Sequence, residues 1–109
     1  MSLADKQCVP CHGGVQPLKG EALKTFAAQV PEWQVVNDHH LTRHYTFPDF
    51  AHALAFVNRA GAVAEEQGHH PDLLVGWGKV DVEIWTHSIG GLSESDFILA
   101  AKIEQLARK

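Results

Sequence analysis

The chain has 109 residues, a length that predicts one domain with a modest core. Its composition, 45% hydrophobic and 20% charged, is typical of a globular protein. The net charge of -4 gives no general reason to expect binding to nucleic acid. No apolar run approaches the ~20 residues that span a bilayer, and the N-terminus lacks the apolar stretch of a signal peptide. We therefore expect a cytoplasmic location by default, with neither a membrane nor a nucleic acid as partner.

Residues 1–20 are rich in proline and glycine and predict an irregular lead-in to the domain. This lead-in contains both cysteines, Cys8 and Cys11, which form a Cys-x-x-Cys-His motif with His12. Such a motif fits c-type haem attachment, a redox pair or part of a metal site. Haem attachment requires export, and the N-terminus lacks the apolar stretch of a signal peptide. A metal site normally requires four ligands, and the chain has no second cysteine pair to complete one. We expect two reduced thiols without an assigned role.

A short helix and a first hairpin are predicted after the lead-in. Apolar residues recur at helical spacing from Glu21 to Val30. Two strand patterns follow, at 33–36 and 41–47, joined by the turn-forming pair Asn37-Asp38. The second strand alternates in polarity and places Arg43 on its mostly apolar side, which suggests a position near the sheet edge.

The longest helix is predicted to begin at Pro48-Asp49 and to run to about Gln67, where Gly68 stops it. Its predicted core-facing stripe consists of Phe50, Leu54, Val57, Gly61 and Ala64, broadened by Ala53, Phe56, Ala60 and Val63. An apolar face this wide is typical of a helix that covers a sheet.

A second hairpin is predicted from residues 73–77 and 79–87, turned at Gly76-Trp77-Gly78. The second of these strands alternates, with Val80, Val82, Ile84 and Thr86 on one face and Lys79, Asp81, Glu83, Trp85 and His87 on the other. A final helix follows to about Ala107. Its start fits a capping box between Ser93 and Asp96.

This order of elements predicts a single α+β domain over residues 1–109, with a four-stranded antiparallel sheet and helices packed on one face. The outer strands of such a sheet have unpaired edges. Pairing of these edges would produce a dimer.

Eight histidines are present. Five of them, His12, His39, His40, His44 and His52, are most simply surface residues, and we assign them no role. The pair His69-His70 is more specific, because it follows a helix stop and precedes Pro71, which restricts the backbone of His70 to extended conformations. If the second hairpin pairs about its turn, Pro71-Asp72 lies beside the segment Trp85–His87. All three histidines then meet at one end of the sheet, within reach of Glu65.

The residues alone leave several functions open for this cluster. Three histidines and a glutamate suggest zinc, but adjacent histidines rarely bind one ion and no His-x-x-x-His motif is present. A solvated loop without a function is the simplest alternative. Imidazoles are also suited to proton transfer near neutral pH. In that case Trp85, Trp77 or Trp33 would supply an aromatic wall for a ring-shaped substrate.

Taken together, the motifs in this half of the chain resemble those of the pterin-4a-carbinolamine dehydratases. They are Glu65-x-x-x-His69-His70-Pro71, the aromatic Trp77, Thr86-His87 and Gly91-Leu92-Ser93-x-x-Asp96. The resemblance extends from about Leu18 to Leu106. It departs from the family at Leu73 and Leu74, where bulkier aromatic residues are common.

The resemblance implies an activity: dehydration of 4a-hydroxytetrahydrobiopterin to quinonoid dihydropterin by histidine general acid–base catalysis, with neither a metal nor an organic cofactor. It implies His69, His70 and His87 as catalytic residues and Glu65, Pro71, Thr86 and Ser88 as substrate-binding residues. Within this set we expect His69 and His87 to move protons and His70 mainly to position the substrate.

The resemblance also implies partners. The pterin is the small-molecule substrate, the chain would form a homodimer or homotetramer, and the reaction would recycle the cofactor of an aromatic amino acid hydroxylase. The alternative is a module that binds a pterin or a protein without catalysis, because relatives act as dimerisation partners of a homeodomain transcription factor.

Overall fold

The computed structural model describes residues 3–8 and 16–108. Its helices and strands are α1 Gly20–Ala27, β1 Gln34–Val36, β2 His40–Thr46, α2 Phe50–Gln67, β3 Asp72–Gly76, β4 Lys79–Ile84 and α3 Glu94–Ala107. Short 3-10 turns occupy Leu3–Asp5 and His87–Ile89. Each predicted helix and strand is therefore present, with ends that differ by a few residues.

The four strands form one antiparallel sheet in the order β1-β2-β4-β3. The two hairpins meet at the β2–β4 pair, while α2 connects β2 to the opposite edge strand. This arrangement confirms the predicted α+β class. In the β3–β4 register Asp72 pairs with Glu83, which brings the residues before β3 beside those after β4.

The alternation predicted for β4 is confirmed on its buried side, where Val80, Val82 and Ile84 are at most 2% exposed. The predicted extent of this strand was too long. Regular pairing ends at Ile84, because the chain then turns to form an isolated bridge between Thr86 and Gly91. His87 consequently lies on a tight turn at the end of the sheet.

Helix α2 is closed at both ends by local hydrogen bonds. The Asp49 side chain accepts from the backbone N–H of His52, and Gly68 adopts a left-handed conformation with φ of 64°. Glycine suits this left-handed conformation because glycine has no Cβ that would clash with the preceding turn. Although α2 is the longest helix, none of the described helices is both long and apolar enough to cross a membrane. The cytoplasmic location stays a prediction.

The predicted core-facing stripe of α2 was partly wrong. The buried line runs through Ala53, Phe56, Ala60 and Ala64. In contrast, Phe50 is 43% exposed and Leu54 is 41% exposed. Both residues lie about one helical position away from the line that contacts the sheet, so a wide apolar face in the sequence includes residues that this domain leaves uncovered.

A buried polar cluster joins α3 to the first hairpin. The Glu104 carboxylate accepts hydrogen bonds from Trp33 Nε1 at 3.1 Å, Arg43 Nε at 3.0 Å and Tyr45 Oη at 2.6 Å. The prediction that Arg43 lies at a sheet edge was wrong, because β2 is an interior strand and the guanidinium reaches inward to Glu104. The guanidinium also lies over the Tyr45 ring, 4.3 Å from its centroid.

This cluster shifts the ionisation of its members. Burial by itself would raise the pKa of Glu104, but the hydrogen bonds from Arg43 and Tyr45 outweigh it and leave the pKa below its ordinary value. Burial and the neighbouring carboxylate raise the pKa of Tyr45. The cluster is therefore held as a carboxylate, a guanidinium and a neutral phenol.

Part of the predicted irregular lead-in is docked on the domain. Leu3 is buried at 4% exposure, and Lys6 forms an ion pair of 2.8 Å with Glu94 at the start of α3. The backbone N–H of Cys8 donates to Gln67 Oε1 at 2.9 Å. Cys11 lies outside the described residues, so the prediction about its thiol remains a prediction.

Candidate active site

A cavity of about 410 Å³ lies where β3 begins and β4 ends. Its walls are Gly68, His69, His70, Pro71, Asp72, Trp85, Thr86, His87 and Ser88. The structure thus brings together six of the seven predicted site residues. The seventh, Glu65, lies in the last turn of α2 and contacts His70.

Local backbone geometry places the two adjacent histidines at this cavity. Gly68 ends α2, and the backbone N–H of His69 donates to Ala64 O at 3.2 Å. The chain then enters β3 at Asp72, which pairs with Glu83 near the end of β4. The hairpin register predicted from the sequence accounts for this juxtaposition.

His69 is held by a buried carboxylate. Its side chain is 15% exposed, and its Nε2 lies 2.6 Å from Oδ1 of Asp96, which is fully buried. The other oxygen of Asp96 accepts from Thr86 Oγ1 at 2.7 Å and from the Ser93 backbone N–H at 2.8 Å. The carboxylate that closes the capping box of α3 therefore also orients an imidazole in the cavity.

These contacts favour one tautomer of His69. A carboxylate can only accept hydrogen bonds, so the Nε2 atom that faces Asp96 carries the proton and donates it. The remaining ring nitrogen, Nδ1, then has a free lone pair and is able to take up a proton.

His70 has a more exposed environment. Its Nε2 lies 2.8 Å from Glu65 Oε1, with the two side chains 59% and 79% exposed. Water screens a pair this open, so the contact contributes little to stability. It does give His70 a preferred direction at the rim of the cavity.

His87 is also exposed, and its ring lies against Trp85 with centroids 3.9 Å apart and planes at 65°. Trp85 is the indole that lines the cavity. The other two tryptophans proposed as an aromatic wall do not contribute to it, because Trp77 is 75% exposed at the β3–β4 turn and Trp33 is buried beside Tyr45.

A larger hollow, about 780 Å³, covers the open face of the sheet. Its titratable groups include Asp72, Glu83 and the pair His44–Asp81, whose side chains are 55% and 41% exposed. Solvated carboxylates of this kind are ordinary on a sheet face that meets water. The smaller cavity is the better candidate because a buried carboxylate backs one of its imidazoles.

Sequence reasoning identified Asp96 as the capping residue of α3 and as part of the family motif, but it did not assign Asp96 to the site. The signal was its position three residues after Ser93, which fixes the carboxylate at the start of a helix. Its contact with His69 depends on how α3 packs and has no local signature. Among the described residues, no group of three or more histidine, cysteine or acidic side chains is arranged to hold a metal ion.

The fold and the cavity together define a small α+β protein in which a buried carboxylate contacts an imidazole of the cavity wall. A model of the family described as "Pterin 4 alpha carbinolamine dehydratase" matches residues 16–106. The chain belongs to this family, as its motifs predicted.

Two relatives support the same assignment over nearly the whole chain. A protein of Rubrobacter xylanophilus is 57% identical, covering 95% of this chain and 97% of its own. A protein of Alkaliphilus metalliredigens is 49% identical, covering 95% of each chain. Both are named pterin-4-alpha-carbinolamine dehydratases, provisionally in each case.

Solved structures share the fold. The Brucella melitensis protein described as a "transcriptional coactivator/pterin dehydratase" has a TM-score of 0.78 and 31% identity, and the match covers 84% of this chain and 99% of that one. A pterin dehydratase-like RuBisCO assembly factor of the alpha-carboxysome has a TM-score of 0.60 and 24% identity, covering 70% of this chain and 89% of that one. The latter similarity demonstrates the fold alone.

Proposed function

We propose that this protein dehydrates 4a-hydroxytetrahydropterins to quinonoid dihydropterins by histidine general acid–base catalysis. The observation that carries the proposal is the hydrogen bond between His69 and the buried Asp96, in a cavity that His87 also lines. Membership of the dehydratase family supports the choice of substrate.

The reaction requires two proton movements. The bond between C4a and its hydroxyl oxygen breaks, and this oxygen takes up a proton and leaves as water. N5 gives up its proton, and the electron pair released forms the double bond between N5 and C4a. Positioned acids and bases accelerate such steps by roughly 10²–10⁴-fold.

The two proton-transfer roles are assigned to His69 and His87. His69 has a lone pair on Nδ1 when Nε2 donates to Asp96, which suits it to accept a proton. His87 lies across the cavity on the turn that follows β4. The two imidazoles could thus serve the two reacting positions of one substrate.

The remaining cavity residues would hold the pterin. We assign this role to His70, directed by Glu65, and to Pro71 in the same loop. Thr86 and Ser88, which also line the cavity, would lie at the amide edge of the ring. Trp85 would supply an apolar wall beside it.

The proposal is tested by following dehydration of a freshly generated carbinolamine by ultraviolet absorbance. We expect the double variant His69→Ala/His87→Ala to reduce the rate to that of the spontaneous reaction. His52→Ala is the matched control, because His52 is exposed on α2 and lies outside the cavity. Equal rates for the wild type and the double variant would refute the enzymatic proposal.

Two further measurements test the chemistry. Treatment with a chelator should leave the rate unchanged, since the mechanism uses no metal, and a loss that zinc restores would contradict it. The rate should depend on pH between 5 and 8, because imidazole is the side chain that ordinarily changes its charge in this range. A flat profile between pH 5 and 8 would count against histidine catalysis.

The chemistry of the substrate also implies its source. A 4a-hydroxypterin is produced when a pterin-dependent aromatic amino acid hydroxylase uses its cofactor. We therefore propose that such a hydroxylase supplies the substrate and that the product returns to the cofactor pool. The reaction would take place in the cytoplasm.

We also propose that the chain assembles as a homodimer or homotetramer. The surfaces that support this are the edge strands β1 and β3 and the uncovered apolar residues Phe50 and Leu54 on α2. Sedimentation equilibrium of Leu54→Glu would test the helical surface. An unchanged mass would contradict its participation.

A non-catalytic role, in which the chain binds a pterin or a protein, is the second candidate. It is supported by the solved relative whose description names it a coactivator as well as a dehydratase. The two candidates differ in turnover. Pterin binding without any acceleration of dehydration would favour the second.

A further inference from the structure

The three cavity histidines are anchored in different ways. His69 is held by the carboxylate of Asp96, and His70 by that of Glu65. Within residues 3–8 and 16–108, no protein group forms a hydrogen bond with the imidazole of His87. Its ring contact is the indole of Trp85, 3.9 Å away between centroids. The direction of His87 therefore depends on Trp85.

Trp85 is itself packed against a second histidine. The ring of His39 lies 4.2 Å from the Trp85 ring, with the planes inclined by 44°. His39 also contacts His40, with the two Nδ1 atoms 3.0 Å apart. An imidazole from the first hairpin and the imidazole of His87 thus contact the same indole.

The turn that presents His39 has a defined geometry. Asn37 and Asp38 both have positive φ, 54° and 55°, and the backbone N–H of His39 donates to Val36 O at 2.9 Å. Two central residues of this kind correspond to a type I′ turn, which matches the twist of a hairpin. His39 is therefore delivered to Trp85 by a turn whose backbone is locally determined.

We propose that His39 and Trp85 are positioning residues for His87, a role that rests on the proposed dehydratase function. His39 restrains the indole, and the indole restrains the imidazole that exchanges a proton with the substrate. His39 does not line the cavity. Its removal should therefore disturb the geometry of His87 without removing a contact to the substrate.

The variant His39→Ala tests this role. A misplacement of about 1 Å at a reacting group can cost ~10²-fold in rate, and a loosened ring should cost less, about 10-fold in kcat. We expect KM to change by less than about twofold, because the walls of the cavity are intact. His39→Phe keeps an aromatic ring against Trp85 and should restore most of kcat. His52→Ala is the matched control.

Nuclear magnetic resonance of the His87 ring protons gives a readout that requires no activity. The Trp85 ring current should shift these protons in the wild type, and we expect His39→Ala to reduce the shift and His39→Phe to restore it. An unchanged shift in His39→Ala would overturn the proposal even if the wild type had no dehydratase activity. An unchanged kcat in an active enzyme, or a raised KM with unchanged kcat, would overturn it as well.

Discussion

Replacing Asp96 by asparagine would test whether the buried carboxylate sets the tautomer of His69. An asparagine oxygen turned toward Thr86 and Ser93 would preserve the hydrogen bonds at the start of α3. Its amide nitrogen would then face Nε2 of His69 and donate to it. The imidazole proton would move to Nδ1, and the lone pair needed for proton uptake would be lost.

The expected size of the effect follows from the contacts. General acid–base groups contribute roughly 10²–10⁴-fold, and we expect Asp96→Asn to lower kcat by about 10²-fold because His87 remains. KM should change little, since Asp96 is not a cavity wall. Hydrogen bonds to a charged group contribute ~1.5–3 kcal/mol and neutral ones ~0.5–1.5 kcal/mol, so we expect a stability loss of about 1–3 kcal/mol.

The assay combines the absorbance-based dehydration rate with urea unfolding, so that activity is compared at equal folded fraction. Ser93→Ala is the control, because it removes the capping hydroxyl while the Asp96–His69 bond remains. It should cost about 1 kcal/mol in stability and leave kcat within about twofold. If folded Asp96→Asn retained the wild-type kcat, the tautomer argument would be refuted.

Three other outcomes are expected, each measured by urea unfolding. Glu104→Gln should destabilise the domain by about 2–4 kcal/mol because Arg43 loses its buried counter-charge. Glu94→Gln should cost less than about 1 kcal/mol, because the ion pair between Lys6 and Glu94 has side chains that are 42% and 44% exposed. Equal losses of stability in Glu104→Gln and Glu94→Gln would contradict the importance of burial. Because the folded-state pKa of Glu104 lies below its ordinary value of 4.5, its contribution is present above that pH and is lost as the pH falls through the lower folded value. The difference in the free energy of unfolding between wild type and Glu104→Gln should therefore become smaller in acid. A constant difference down to pH 3 would argue against this dependence on the ionisation of Glu104. Finally, neither Gly68→Ala nor Gly61→Ala would bring a Cβ within 4 Å of another atom, so the backbone conformation should decide the effect. Gly68→Ala should cost about 1 kcal/mol of stability because its φ is 64°, whereas Gly61→Ala, in the middle of α2, should stabilise by ~0.5–1 kcal/mol. The same sign for both glycine variants would show that backbone conformation does not decide the outcome.

Much of the candidate site was predictable because it depends on short-range geometry. The stop at Gly68 and the register of the β3–β4 hairpin bring residues 69–71 beside 86–88 without reference to the rest of the fold. Each of these features is encoded by a few neighbouring residues. Their common cavity followed from the sequence for this reason.

The errors concern choices that only packing makes. Phe50 and Leu54 have the helical spacing of core residues, but the sheet contacts a line one position away. Trp77 has an apolar ring suited to a cavity wall, yet it projects from the tip of a hairpin. A hydrophobic pattern shows which residues are able to be buried and does not show which surfaces are available to cover them.

The sequence by itself determined the elements, the α+β class, the capping box of Ser93 and Asp96, and the family. These depend on backbone hydrogen bonds and side-chain periodicity within a few residues. The tertiary structure alone decided that Asp96 reaches His69, 27 positions away, and that His39 packs on Trp85 beside His87. Such contacts arise when separate elements pack together, and residues that meet only through packing leave no spacing for a sequence to reveal.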